Sequence, residues 1–352
     1  MCELKLLDLP SFQTSGNIMK LRSLAVCLAS MLVPLAAHAA PVSPKVMVVT
    51  MFDGETQPWL DNLDLSQQIA VPGLPASNNT VACNDDLCVM TTTMGYANAA
   101  SSTLAVALSE QFDLSQTYFL IAGIAGVDPN KGTLGSAAWA DYVVDAGLFH
   151  RIDDREAPKD WDSQILELGA QAPGEKPKWA AGSEVFKLNP ALIEKAFSVT
   201  EGVALADGDT AAAYRANYPQ EAAKAQPTVM ICSSVSADTY WHGAITAAEV
   251  SAHTALLTDG EAEYCMSQME DNATLTALQR GAEAGKLDFS RVAVLRTASN
   301  FDRQNPEQTA AESLAANSGG FGPAKENAFR VGNAFAQDII ANWNVYSDGL
   351  SK

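Results

Sequence analysis

The chain is poor in positive charge. Lys and Arg together number 22 of 352 residues against 41 Asp and Glu, for a formal net charge of −19. Nucleic-acid binding depends on bases that neutralise phosphates, so no nucleic acid is expected as a partner. Histidine occurs only 4 times, with no H-E-x-x-H, and the cysteines lack C-x-x-C spacing. Nothing in this pattern proposes a metal or a cofactor. Also missing are G-x-G-x-x-G after the first strand, G-x-x-x-x-G-K-[ST] and G-x-S-x-G. Dinucleotide, P-loop and α/β-hydrolase chemistry thereby lose their main support.

The N-terminal region carries an export signal. Met19-Lys20-Leu21-Arg22 is a short basic stretch, Ser23 to Ala37 an apolar core, and Ala37-His38-Ala39 a small-x-small cleavage site. Basic, apolar and small in that order read as a signal peptide over 19–39. The core is shorter than the ~20 residues of a spanning helix and contains Pro34, which argues against a membrane anchor. Residues 1–18 precede this signal and are expected to lie upstream of the natural start. Cleavage after Ala39 would remove one net positive charge and release 40–352 to the periplasm or the cell exterior. No later segment holds eighteen consecutive apolar residues, so no intrinsic helical span is expected in the exported chain.

Export implies an oxidising compartment. Cys2 and Cys27 fall in the region to be removed, which leaves Cys83, Cys88, Cys232 and Cys265. Cys83 and Cys88 flank Asn84-Asp85-Asp86-Leu87, a turn between extended runs, and a disulfide across that hairpin is expected. Cys232 with Cys265 is the second candidate pair, with two buried thiols as its alternative.

The length allows two average domains or one large α/β domain with an insertion. Apolar, β-branched runs at Val46–Met51, Leu87–Thr93, Tyr118–Ala122, Tyr142–Ala146, Val229–Ser233 and Val292–Thr297 read as buried strands. Helical patterns separate them, including 97–110 and a final helix over 327–344 with Phe329, Val331, Phe335, Ile339 and Trp343 as its apolar stripe. The alternation predicts an α/β fold with a sheet covered on both faces. Between Asp153 and Gln226, prolines and charges interrupt the pattern, and this stretch reads as a helical and loop insertion. Asn189-Pro190 within it is a good helix start.

Polar residues cluster at the predicted strand ends, where open α/β sheets bind ligands. Asp53-Gly54-Glu55 follows the first strand, Thr93-Met94-Gly95 the next, and Gly123-Ile124-Ala125-Gly126 a third, where it reads as a glycine turn. Ser236 to Trp241 (SADTYW) lies past the Val229 strand, Gln268-Met269-Glu270 sits on a helical run, and Ser299-Asn300-Phe301-Asp302 follows Arg296. Taken singly, each of these is an ordinary cap, turn or wall residue.

Their order is similar to that of the nucleoside phosphorylase and nucleosidase superfamily, and more closely of the purine nucleoside permease (NUP) family. Ile121 to Asp145 resembles the glycine-rich strand and the strand after it, SADTYW the base-stacking segment, Gln268-Met269-Glu270 the ribose-binding Met-Glu, and Arg296 to Asn300 (RTASN) the strand that grips the purine. The likeness runs from about Lys45 to the final helix, apart from 153–226. It implies a phosphorylase-like three-layer α/β/α fold with a mixed central sheet.

The resemblance also implies a site. Glu270 would bind ribose hydroxyls, Met269 would pack beneath the sugar, and Tyr240 or Trp241 would stack on the base for ~1–3 kcal/mol. Met94, Gly95 and Gly126 would be further substrate contacts. Glu55 would orient or deprotonate a water, and Asn300 would hold the purine edge as charge develops there. Many relatives carry Asp where this chain has Asn300, which cannot donate a proton to the base; Asp302 is the alternative acid. Thr50–Pro58 and Met90–Asn98 contain no Lys or Arg. Phosphate would lack a countercharge there, so an N-ribosyl hydrolase is expected over a phosphorylase. The rival is a non-catalytic nucleoside-binding component of uptake, which would need a membrane transporter partner. Relatives form multimers, so a homo-oligomer is a further implication.

Overall fold

The computed structural model describes residues 40–350. The expected signal peptide and upstream extension lie outside the described residues. The strands are β1 (Val46–Thr50), β2 (Gln67–Ala70), β3 (Thr80–Cys83), β4 (Leu87–Thr91), β5 (Tyr118–Val127), β6 (Ala137–Trp139), β7 (Tyr142–Asp145), β8 (His150–Arg151), β9 (Ile165–Leu166), β10 (Val185–Lys187), β11 (Val229–Ile231), β12 (Ser233–Ser236), β13 (Tyr264–Gln268) and β14 (Val292–Phe301). The helices are α1 (Asp53–Asn62), α2 (Tyr96–Ala107), α3 (Pro190–Thr200), α4 (Asp209–Arg215), α5 (Glu221–Lys224), α6 (Ala244–Leu257), α7 (Asp271–Glu283), α8 (Ala310–Ala315), α9 (Phe321–Ala341) and α10 (Trp343–Tyr346).

One mixed sheet of twelve strands organises the chain, in the order β10-β7-β12-β13-β5-β1-β4-β3-β2, with β14 on β5 and β6, and β11 on β6. β1 is buried at every residue, as a central strand covered on both faces must be. On one face α9 packs over β5 and β14 and against α1; elsewhere α2 packs on α7. Phe329, Val331, Phe335 and Ile339 form the buried stripe of α9. That helix begins six residues before the expected Asn327 and breaks at Asn342, so Trp343 belongs to α10.

The long strand β5 positions the site. Tyr118–Ile121 pair in parallel with Val46–Val49 of β1, while Gly126 and Val127 pair antiparallel with Ser267 and Met266 of β13. Between those two partners that edge of β5 is open. Gly123-Ile124-Ala125-Gly126 is therefore strand, not the turn expected from its glycines. The Val229 strand is also shorter than expected and breaks at Cys232 into β11 and β12.

The 153–226 segment contributes to the same sheet. β10 pairs antiparallel with β7 at the sheet's edge, and α3 packs against α9. Asn189 caps α3 by accepting from the Ala191 N–H at 3.2 Å, with Pro190 at the first helical position.

Both disulfides form. Cys83 and Cys88 face each other across the β3–β4 hairpin, and Cys232 joins Cys265 on β13 across a separation of 33 residues. Closing a loop of that length restricts the unfolded chain by about 3–4 kcal/mol. Replacing both Cys232 and Cys265 by Ser should lower unfolding stability by that order in a urea titration. An unchanged midpoint would contradict a stabilising role.

Candidate functional site

A cavity of about 150 Å³ opens where the parallel strands end. This is the usual ligand position in an open α/β sheet. Its walls come from the end of β1 and α1 (Met51, Phe52, Glu55), from β5 (Ile124 to Gly126), from β14 (Arg296, Ser299, Asn300) and from the β13–α7 junction (Ser267 to Glu270). Thr239, Tyr240, Trp241 and Met94 complete it from two loops.

Glu55 lies in the first turn of α1 and folds back toward the sheet. Its Oε2 accepts from the Met51 N–H at 2.8 Å, and its Oε1 accepts from the Ile124 N–H at 2.7 Å. Ile124 sits on the stretch of β5 that β1 no longer reaches. Its N–H is taken up by Glu55 instead of a strand partner, and its carbonyl accepts from Arg296 Nη1 at 3.0 Å. Two side chains thus close the backbone groups exposed where the sheet parts. Burial pushes the Glu55 carboxyl up to about 7, against the opposing pull of Arg296 and the two N–H donors. Gly123 makes this approach possible. A Cβ there would stand 2.1 Å from Met51 Cε, 2.6 Å from Glu55 Oε1 and 2.8 Å from Arg296 Nη1.

Glu270 caps α7 rather than lying on a helix as expected. Its Oε1 accepts from the Gly95 N–H at 3.2 Å, and its Oε2 accepts from Arg296 Nη2 at 3.3 Å. Gly95 has φ +88°, a left-handed conformation that glycine adopts at little cost. It supports Glu270 from behind and is not itself a cavity wall. Burial raises the Glu270 carboxyl above its ordinary range, with Arg296 opposing and Asp271 adding to the rise. Arg296, only 1% exposed, also pairs with Asp271, which is fully buried.

Asn300 lines the same cavity as Glu270. The Ser299 hydroxyl donates to its Oδ1 at 2.8 Å, and its Nδ2 donates to the Phe301 carbonyl at 3.0 Å. Its second amide hydrogen lies toward the Tyr240 hydroxyl, and one lone pair stays available on Oδ1. A bulge between Ala298 and Asn300 sets this orientation. Tyr240 (56% exposed) and Met94 (59% exposed) offer apolar surface at the mouth. Trp241 leans on Tyr264 with ring centres 5.8 Å apart. Met269 and Gly126 are also walls.

Asp302 does not join the cavity. Its carboxylate accepts from Tyr264 Oη at 2.7 Å and pairs with Arg303 at 2.7 and 2.8 Å, so the alternative of Asp302 as the acid is withdrawn. Asp238 caps α2 by accepting from the Tyr96 N–H at 2.7 Å, a partner 142 residues away in sequence. Among the described residues no group of three or more His, Cys, Asp or Glu is arranged to hold a metal ion.

Wall residues given no role by sequence reasoning include Arg296, Phe52, Met51 and Ser267, and Asp271 behind the wall was passed over. A signal existed for Arg296. A lone cation inside the apolar run Val292 to Ser299 is either a misread strand or a buried charge with a partner.

The sequence model of the family described as purine nucleoside permease (NUP) matches residues 43–351. The chain belongs to this family. A NUP relative named purine nucleoside permease, from Candida albicans, is 36% identical over 314 residues, covering 87% of this chain and 77% of the relative. A probable purine nucleoside permease of Schizosaccharomyces pombe is 35% identical over 320 residues, covering 86% of this chain and 91% of its own. Among solved structures, a 5′-methylthioadenosine/S-adenosylhomocysteine nucleosidase from Helicobacter pylori superposes with a TM-score of 0.51 at 14% identity, over 85% of this chain and 99% of that one. A futalosine hydrolase of the same organism gives 0.50 at 13%, over 84% and 98%. At such identity these two speak of the fold alone: this NUP chain has the nucleosidase-like α/β architecture. No helix among its described residues is long and apolar enough to cross a membrane.

Proposed function

We propose that the protein is exported, binds a purine nucleoside in this cavity and hydrolyses its N-glycosidic bond. The observation that carries the reading is the joint presence, in one cavity, of two buried carboxylates of different character and a side-chain amide. Glu270 is held by Gly95 and Arg296 and suits the ribose hydroxyls. As the bond stretches, the sugar gains positive charge, which that carboxylate favours. Glu55, with its carboxyl near neutrality, suits removal of a proton from water. Asn300 suits the purine edge, where an amide N–H turned from Tyr240 to the base would stabilise the departing negative charge. Tyr240 supplies a ring for stacking. The family name of the relatives and the two disulfides support nucleoside handling outside the cytoplasm.

A second reading has its own support. Asn300 cannot donate a proton to the leaving base, and the relatives are named permeases. On that reading the same cavity binds the nucleoside without cleaving it and delivers it to a membrane partner.

Incubating the chain from residue 40 with inosine, adenosine and guanosine, with and without phosphate, separates the cases. The expected result is free base released without phosphate. Release that requires phosphate would overturn the hydrolase reading, and tight binding without turnover would favour the uptake reading. Glu270→Ala removes charge-assisted hydrogen bonds to the sugar. It is expected to weaken nucleoside binding about tenfold to a hundredfold in a calorimetric titration. Unchanged affinity would remove Glu270 from the site.

A further inference from the structure

Arg296 is the only Lys or Arg among the residues lining the cavity. It has little left to offer a ligand. Its Nε donates to Asp271 at 3.2 Å, its Nη2 to Asp271 at 2.5 Å and to Glu270 at 3.3 Å, and its Nη1 to the Ile124 carbonyl at 3.0 Å. Glu270 is needed for the sugar, and Ile124 closes the open edge of β5. Asp271 has no such second duty toward a ligand. It lies behind the cavity wall, and it takes up the Nε and Nη2 groups, the pair that a planar guanidinium presents to an oxyanion. Gln268 Nε2 donates to Asp271 as well and holds it in place.

We propose that Asp271 selects the acceptor: by occupying the cavity's one cation it closes the site to phosphate and leaves water as the nucleophile. The catalytic consequence rests on the hydrolase reading above, whereas the anion-binding consequence does not. With water, a C–O bond forms at the sugar's anomeric carbon as the bond to the purine breaks. The bonding pair leaves with the base, and the proton lost by water passes to Glu55 and then through solvent to the base. Phosphate would attack the same carbon through one of its oxygens, giving a sugar 1-phosphate and free purine. The acidic side chains of Glu55, Glu270 and Asp271 crowd around the one Arg and disfavour a further anion there.

The test is a calorimetric titration of inorganic phosphate, without nucleoside, into the wild type, D271N, R296Q and D271N/R296Q. The expected result is no Arg296-dependent phosphate binding in the wild type. D271N should bind phosphate about tenfold to a hundredfold more tightly than the wild type, and the double variant should lose that gain. A folded D271N that binds phosphate no better than the wild type overturns the proposal. So does phosphate binding by the wild type that R296Q abolishes, an arm that decides the matter if D271N does not fold. With inosine, base release by D271N is expected to become phosphate-stimulated while the wild type stays indifferent. Absence of turnover in both proteins would count against the hydrolase reading and leave the titration result standing.

Discussion

Glu55→Gln is expected to slow purine release by about 10²–10⁴-fold while leaving nucleoside affinity within a few-fold of the wild type. Glutamine keeps the length of the side chain and one acceptor for the N–H groups of Met51 and Ile124, but it cannot take a proton from water. Single-turnover measurements beside equilibrium binding separate the two effects. The pH profile carries the sign. A base must be ionised, and burial has raised this carboxyl from 4.5 to about 7. The rate should therefore rise with pH through about 7 and then level off, and this limb should vanish in Glu55→Gln. A rate that falls over the same interval would assign Glu55 the role of acid. The fold should respond in the opposite sense. The folded chain holds the proton more tightly than the unfolded one, so this group's contribution to stability is full below pH 4.5 and declines as pH rises to about 7. The loss amounts to about 3 kcal/mol.

Arg296→Met is expected to cost about 3–5 kcal/mol of folding stability. The guanidinium is the shared partner of Asp271 and Glu270 and also opposes the rise of the Glu55 carboxyl. Methionine fills similar space and leaves those carboxylates buried without a countercharge. They can lower the cost by taking up protons, so the destabilisation should be larger at pH 8 than at pH 5. Urea unfolding at the two pH values measures it. Equal midpoints for variant and wild type would mean that water already solvates the acids.

The parts of the fold that were legible in the sequence are those where local pattern and final environment agree. Val46–Val49 is apolar throughout because it is covered on both faces, and the stripe from Phe329 to Ile339 repeats with the helix. The cysteine hairpin was legible because its turn residues are local. The errors have a common origin in contacts made across the chain. Gly123 and Gly126 look like turn residues, yet Gly123 is small because Met51, Glu55 and Arg296 converge on it from elsewhere. Glu270 follows a short strand that no alternating pattern announces, so it was read into the helix it caps.

The candidate site shows the same division. Glu55, Asn300, Met269 and Glu270 stood out by their order along the chain, and the fold brings all of them to one cavity. Asp302 stood out by proximity to Asn300, but Tyr264 and Arg303 claim its carboxylate. Arg296 opens the RTASN stretch but was given no role of its own there. Its importance arises from Asp271, 25 positions earlier, and from the backbone of Ile124, to which no pattern in the sequence links it.

The most direct measurement is a crystal structure of the Glu55→Gln variant soaked with inosine. The account expects one inosine in the cavity, its ribose hydroxyls bonded to the Glu270 carboxylate and its purine edge bonded to the Asn300 amide. Inosine bound elsewhere, or lying in the cavity with its base against Glu270 and its sugar toward Asn300, would contradict it.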